Sequence, residues 1–105
     1  MDSNNKTDLL IQGKILIKNC ELKYEDNKIY FINGIPSNSI FTRQLSISDN
    51  NIPYIEKDRI IDLCLNNDNN TIIGKVYDNN DAKHNLELKL IFHNSIPDLL
   101  KKSLI

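Results

Sequence analysis

Between Cys20 and Glu25 the chain reads CELKYE, apolar and charged side chains in strict alternation, the order of an extended strand with one dry and one wet face. A helix would scatter the same residues around its circumference instead of sorting them by face. The period of two returns in SIFTRQLSIS from Ser39 and in LELKLIF from Leu86, where Leu86, Leu88, Leu90 and Phe92 share one face. IIDLCL and TIIGKVYD flank the polar NNDNN, the pattern of a hairpin with a five-residue turn. Short runs of this kind, separated by Asn, Asp, Gly and Pro, predict an all-β domain.

Along the chain, a polar lead over residues 1–8 precedes LLIQGKILIKN, read as one strand in which Gly13 marks a bulge or bend. Asp26-Asn27 forms a tight turn into KIYFIN, which suits a strand packed on both faces and ends at Gly34-Ile35-Pro36. From Ser39, Phe41, Arg43, Leu45 and Ile47 share one parity, with Arg43 discordant. DNNIPYIEKDR follows as a loop, because Pro53 bars regular pairing at its centre. NNDAKHN is a further turn. At the end, NSIPDLLKKSLI predicts a helix over residues 96–104, capped by Ser95 in an SxxD box completed by Asp98, with Ile96, Leu99, Leu100 and Leu104 as its apolar stripe. So short a helix needs a surface to dock on. The expectation is a small antiparallel β-barrel of about six or seven strands filling residues 9–105, plugged by one short C-terminal helix.

Composition narrows the function classes. Thirteen basic against fourteen acidic residues give a formal charge of −1, so no net field draws the chain to nucleic acid or anionic lipid. The amino-terminal residues lack the basic and apolar regions of an export signal, and no apolar run approaches the roughly 18 residues of a membrane span, so a cytoplasmic location is expected. Cys20 and Cys64 sit at apolar strand positions and read as reduced, buried thiols. Abundant Asn and Ile, with Arg43 and Arg59 the only arginines, fit an AT-rich genome, so the asparagine clusters need no functional explanation.

Candidate chemistries find little support. Cys20, Cys64, His84 and His93 have the ligand types of a zinc site but not its close-paired spacing. Asp58, Asp62 and Glu87 could pair in space, yet no nucleophile motif accompanies them, and no enzyme activity, metal or cofactor is expected. Gly13, Gly34 and Gly74 are isolated and form no phosphate cradle. Tyr24, Tyr30, Phe31 and Phe41 could stack bases on an OB-like surface, but without a basic groove nucleic acid is disfavoured.

From Arg43 onward the run QLSIS, DRIIDLCL, TIIGKVYD, LELKLIF and PDLLKKSLI resembles the PilZ domain family, with Ser46, Asp58, Gly74 and Phe92 near the family's marked positions. The resemblance implies a six-stranded barrel with a C-terminal helix, and for many members cyclic di-GMP binding. Laid on the family's DxSxxG motif, QLSISD places Gln44 at the acid, Ser46 at the serine and Asp49 at the glycine, so only the serine is kept. The family's RxxxR motif has no counterpart: Lys14 and Lys18 have the spacing but lie in a strand and lack the planar guanidinium fork. Members without both motifs are adaptors that bind proteins, some in type IV pilus assembly, and that role is what the resemblance implies here.

The expected function is therefore a non-enzymatic protein-interaction domain that does not bind cyclic di-GMP. Its candidate contacts are Ile52, Tyr54 and Ile55, with Arg43 beside them, because IPYI places apolar side chains in a loop. The same residues could instead fold inward as a lid. The alternatives are a nucleotide site using Arg43, Gln44, Ser46 and Asp49 by unconventional contacts, and a small viral or mobile-element protein that binds a host factor.

Overall fold

A computed structural model describes residues 6–37, 41–66 and 70–105. Strand β1 (Thr7–Ile11) turns tightly through Gln12 (φ 53°) and Gly13 (φ 77°) into the long strand β2 (Lys14–Glu25). Two consecutive left-handed residues make a type I′ hairpin, and Gly13 supplies one of them without a Cβ penalty. LLIQGKILIKN is thus two strands rather than one with a bulge, and the polar lead ends before Thr7. Asp26 (φ 53°) and Asn27 (φ 61°) repeat the device before β3 (Lys28–Ile32), as the sequence predicts. β3 is packed on one face, its Ile29 and Phe31 buried beside half-buried Lys28, Tyr30 and Ile32. Instead of stopping at Gly34, the chain continues along β2 in the same register as β4 (Ile35–Pro36).

Residues 41–47 depart from the expected strand, whose first residues, Ser39 and Ile40, lie outside the described ones. Phe41–Gln44 is a helical turn, α1, followed by the two-residue β5 (Ser46–Ile47). Arg43 is exposed, Leu45 enters the core and Ile47 turns outward, because α1 breaks the alternation. The expected loop contains β6 (Pro53–Glu56), with Pro53 as its first residue, the strand position that best tolerates a missing N–H. A three-residue 3-10 turn (Lys57–Arg59) leads to β7 (Ile60–Leu65), then β8 (Thr71–Tyr77) and β9 (Asn85–Phe92). The hairpin read from IIDLCL and TIIGKVYD is present; the centre of its turn, residues 67–69, lies outside the described residues.

These nine strands form one antiparallel sheet in the order β5-β6-β3-β2-β1-β9-β8-β7, with β4 beside β2. β6 and β7 stand near opposite ends of that order, yet only Lys57–Arg59 separates them in sequence. So short a link reaches roughly 10–15 Å, so the sheet must coil until its ends approach. One core fills the concave side, joining Ile29 and Ile55 from one end to Ile72 and Val76 from the other through Leu9 and Leu90. Among the described residues no ladder joins β5 to β7, so what is shown of the expected barrel is one antiparallel sheet of nine strands that pairing does not close.

Helix α2 (Asp98–Leu104) packs against β2, burying Leu104 with Ile96 just before it. It starts two residues later than predicted, follows Pro97 rather than Ser95, and has no side-chain cap. Leu100 and Leu104, one turn apart, face the sheet, whereas Leu99 points about 100° away and is 78% exposed.

Asparagine has a backbone task that composition alone did not disclose. Asn19, Asn27, Asn33 and Asn51 all have φ between 56° and 61°, a left-handed conformation that asparagine adopts more readily than other residues with a Cβ. Cys20 is buried and donates its Sγ–H to the Thr7 carbonyl at 3.2 Å; burial pushes the thiol up to about 12. Cys64, in contrast to the expectation, is exposed, because the bulge at Asp62 (φ 58°) shifts the facing of β7 between Ile61 and Cys64.

The Thr7 hydroxyl is wholly buried and has no hydrogen-bond partner among the described residues. Thr7→Val keeps the shape and removes the unmet hydroxyl, so urea denaturation should show a gain of about 1 kcal/mol. A loss of similar size would mean that the hydroxyl is satisfied in solution.

Candidate functional site

Two features stand out among the described residues: a polar seam around Arg59 and an apolar cleft beside β4 and β6. At the seam, Arg59 stands just before β7, and its guanidinium crosses the gap that backbone pairing leaves open. Nη1 donates to the Gln44 carbonyl at 2.7 Å and Nη2 to Gln44 Oε1 at 3.2 Å. Nη2 and Nε also donate to the Tyr77 carbonyl, at 2.8 and 3.3 Å. Gln44 Nε2 donates to Asp78 Oδ1 at 3.0 Å, and the Asn79 N–H to Gln44 Oε1 at 3.2 Å. The end of α1, the start of β7 and the end of β8 are thereby tied by one planar fork, which a lysine could not reproduce.

Charge is managed within the cluster. The Asp78 carboxyl is held below its ordinary value, first by the Gln44 side-chain bond and then by the Asn80 N–H. Partial burial lowers the Arg59 pKa, opposed by the carboxylates of Asp78 and Glu56.

The cleft opens where β6 parts from β3. Their ladder runs from Lys28↔Glu56 to Tyr30↔Tyr54 and stops there. Pro53 has no N–H to continue it. The next groups, those of Ile52, are turned the other way: its N–H donates to Ser48 Oγ at 3.1 Å and its carbonyl accepts from the Ser48 N–H at 3.0 Å. The resulting space of about 600 Å³ is lined by Ile17, Phe31, Ile47 and Ile52, and by Pro36 and Pro53. Asn33, Asn50 and Asn51 form its polar part, and among the described residues no ionisable one lines it. The side-chain amides of these three asparagines have no hydrogen-bond partner among the described residues.

Gly34 shapes the wall. A Cβ there would stand 2.2 Å from Ile17 Cγ2 and 2.7 Å from Cys20 Cβ, so β4 follows β2 closely only because position 34 has no side chain. Next to it, Ile35 is 57% exposed, and Ile47 across the cleft is 46% exposed. Large apolar side chains are also exposed elsewhere, at Leu65, Leu99 and Ile105; here Ile47 is one that lines the cleft itself.

The residues singled out from the sequence are divided by this geometry. Gln44 is buried and committed to Arg59, Asp78 and Asn79, so its amide faces the seam rather than a ligand. Arg43 is exposed, its carbonyl accepting from Asn79 Nδ2 at 3.0 Å. Ser46 is half-buried and pairs with Tyr54, while Asp49 is exposed in the turn before β6. The four therefore do not converge on one point. Of the proposed contacts, Ile52 lines the cleft and Tyr54 lies beside Tyr30 on the outer face, ring centroids 5.4 Å apart. Ile55 is fully buried and leaves the candidate surface, because pairing with Ile29 directs it into the core. The aromatic set is split as well: Tyr24 and Phe31 belong to the core side.

Arg59, Asp78 and Asn79 were not singled out for the seam, nor Asn33 and Pro53 for the cleft. The scarcity of arginine was the available signal for Arg59. Among the described residues no cluster of three or more His, Cys, Asp or Glu is placed to hold a metal ion, and no helix is long and apolar enough to cross a membrane. No protein-family model, no curated protein and no solved structure matches this chain.

Proposed function

We propose that the chain is a non-enzymatic interaction domain, an adaptor that holds a segment of a partner protein in the cleft between β4 and β6. The cleft carries the reading: it offers apolar area and amide groups, but among the described residues its lining includes no acid, base or nucleophile with which to turn over a substrate. This is the role implied by the resemblance to PilZ domains without their ligand motifs. On that reading the coiled sheet, latched at its seam by Arg59, is the family's barrel in a form closed by side chains rather than by a ladder. The engagement of Gln44 in that latch supports a protein over a cyclic dinucleotide.

The test compares capture from the source cells by the wild-type chain and by Ile47→Asp. Ile47 is exposed, so this variant should melt like the wild type. A partner that is recovered by the wild type, lost with Ile47→Asp and bound by the purified wild type alone is the expected result. Equal recovery by both, or saturable heat on titration with cyclic di-GMP, would overturn the adaptor reading.

A further inference from the structure

Asn33-Gly34 is the chain's single Asn-Gly step, and it lies in the cleft wall between β3 and β4. We infer that it is a site of self-modification, at which the Gly34 nitrogen attacks the Asn33 side chain and the cleft acquires a carboxylate as the protein ages. The bond from Gly34 N to Asn33 Cγ forms as the Cγ–Nδ2 bond breaks, and the proton of the attacking nitrogen leaves with ammonia. Water then opens the cyclic imide, at Cγ to give aspartate or at the backbone carbonyl to give isoaspartate. The balance is one water taken up and one ammonia released, with no other reactant.

The three asparagines of the cleft lining supply an internal comparison. All are exposed, with side-chain amides free among the described residues. They differ in the nitrogen that follows. After Asn50, the Asn51 N–H donates to the Ser48 carbonyl at 2.9 Å. After Asn51, the Ile52 N–H donates to Ser48 Oγ at 3.1 Å, and a β-branched side chain crowds it. After Asn33, the Gly34 N–H has no acceptor among the described residues, and no Cβ screens it. Of the three, only Asn33 has both its side-chain amide and the following nitrogen uncommitted. It also stands outside both flanking strands, at φ 58°, where strand pairing does not hold its backbone.

The product changes the electrostatics of the cleft. Among the described residues no ionisable one lines it, so a carboxylate at position 33 would be the first charge there. A partner group that displaced water from that position would leave the anion with neither hydration nor a counter-charge. Resting on the docking reading, conversion of Asn33 therefore weakens partner binding. Isoaspartate acts on the wall as well, since it lengthens the main chain by one atom just before β4.

The experiment incubates the purified full chain at mildly alkaline pH, folded in buffer and unfolded in guanidinium chloride, and follows aspartate and isoaspartate at each asparagine by peptide mapping. Folding is expected to leave the rate at Asn33 within about three-fold of its unfolded value while slowing Asn50 and Asn51 by about ten-fold or more, the ratio given by roughly 1.4 kcal/mol of barrier. A folded rate at Asn33 more than about ten-fold below the unfolded one would overturn the inference, because the fold would then be keeping the reacting atoms apart. Unslowed reaction at Asn50 and Asn51 would overturn the role given to the committed nitrogens. In cellular capture, Asn33→Asp, which carries the charge from the start, should recover about ten-fold less partner than Asn33→Gln. Equal recovery by these two variants would overturn the consequence for docking. The adaptor reading fails by a different result, equal recovery by the wild type and Ile47→Asp.

Discussion

Gly34→Ala is expected to lower the thermal midpoint by about 10 °C or more, a loss of about 2–3 kcal/mol. The new methyl would be centred 2.2 Å from Ile17 Cγ2 and 2.7 Å from Cys20 Cβ. Neither neighbour is the loose end of a flexible side chain: both are buried, Ile17 is β-branched, and a Cβ moves only with its backbone. Relief requires β4 to lift from β2, which loosens the cleft wall as well as the core. Gly13→Ala is the contrast. Position 13 has open space around it but φ 77°, so alanine there meets backbone strain without a clash and should lose only about 1 kcal/mol. Differential scanning calorimetry of the two variants separates the mechanisms. A Gly34→Ala melt as high as that of Gly13→Ala would show that β4 is not held against β2 in solution.

Arg59→Met is expected to cost about 2–4 kcal/mol in urea denaturation, because it leaves the carbonyls of Gln44 and Tyr77 without their seam donor while removing a half-buried fork. Arg59→Lys should recover less than half of that, since one ammonium cannot serve both carbonyls with the guanidinium's geometry. A loss below about 0.5 kcal/mol for Arg59→Met would mean that the seam contributes no more than an ordinary surface contact. The seam also predicts a pH response. Asp78 has its folded pKa depressed below 3.8, so its contribution is fully present above that value and is lost as pH falls through the lower folded one. Asp78→Asn should therefore flatten the acid limb of the stability profile, and an unchanged limb would place the acid sensitivity elsewhere.

Local patterns were legible wherever alternation and turn chemistry agreed. The alternation in CELKYE, the Asp26-Asn27 turn, the hairpin of β7 and β8 and the buried row Leu88, Leu90 and Phe92 follow from residue order alone. Reading failed where one residue broke a pattern. The Gln12-Gly13 turn looked like a bulge because apolar residues flank it on both sides, and α1 was hidden inside a nominal period of two. The candidate site was legible only in part. Ile52 lies in the cleft and Gln44 in the seam, but neither side of the cleft could be paired with the other from sequence, because they are brought together by where a ladder stops.

Residue order by itself determined that this chain forms short strands in antiparallel hairpins with one short closing helix, because facing and turn preference are properties of neighbouring residues. Tertiary structure alone decided that the sheet coils without closing, that Arg59 latches its seam, and that Pro53 and Gly34 leave an uncharged cleft between β4 and β6. Those outcomes depend on which distant backbone groups find partners and which are left without one, and that is settled only when the whole sheet has chosen its register.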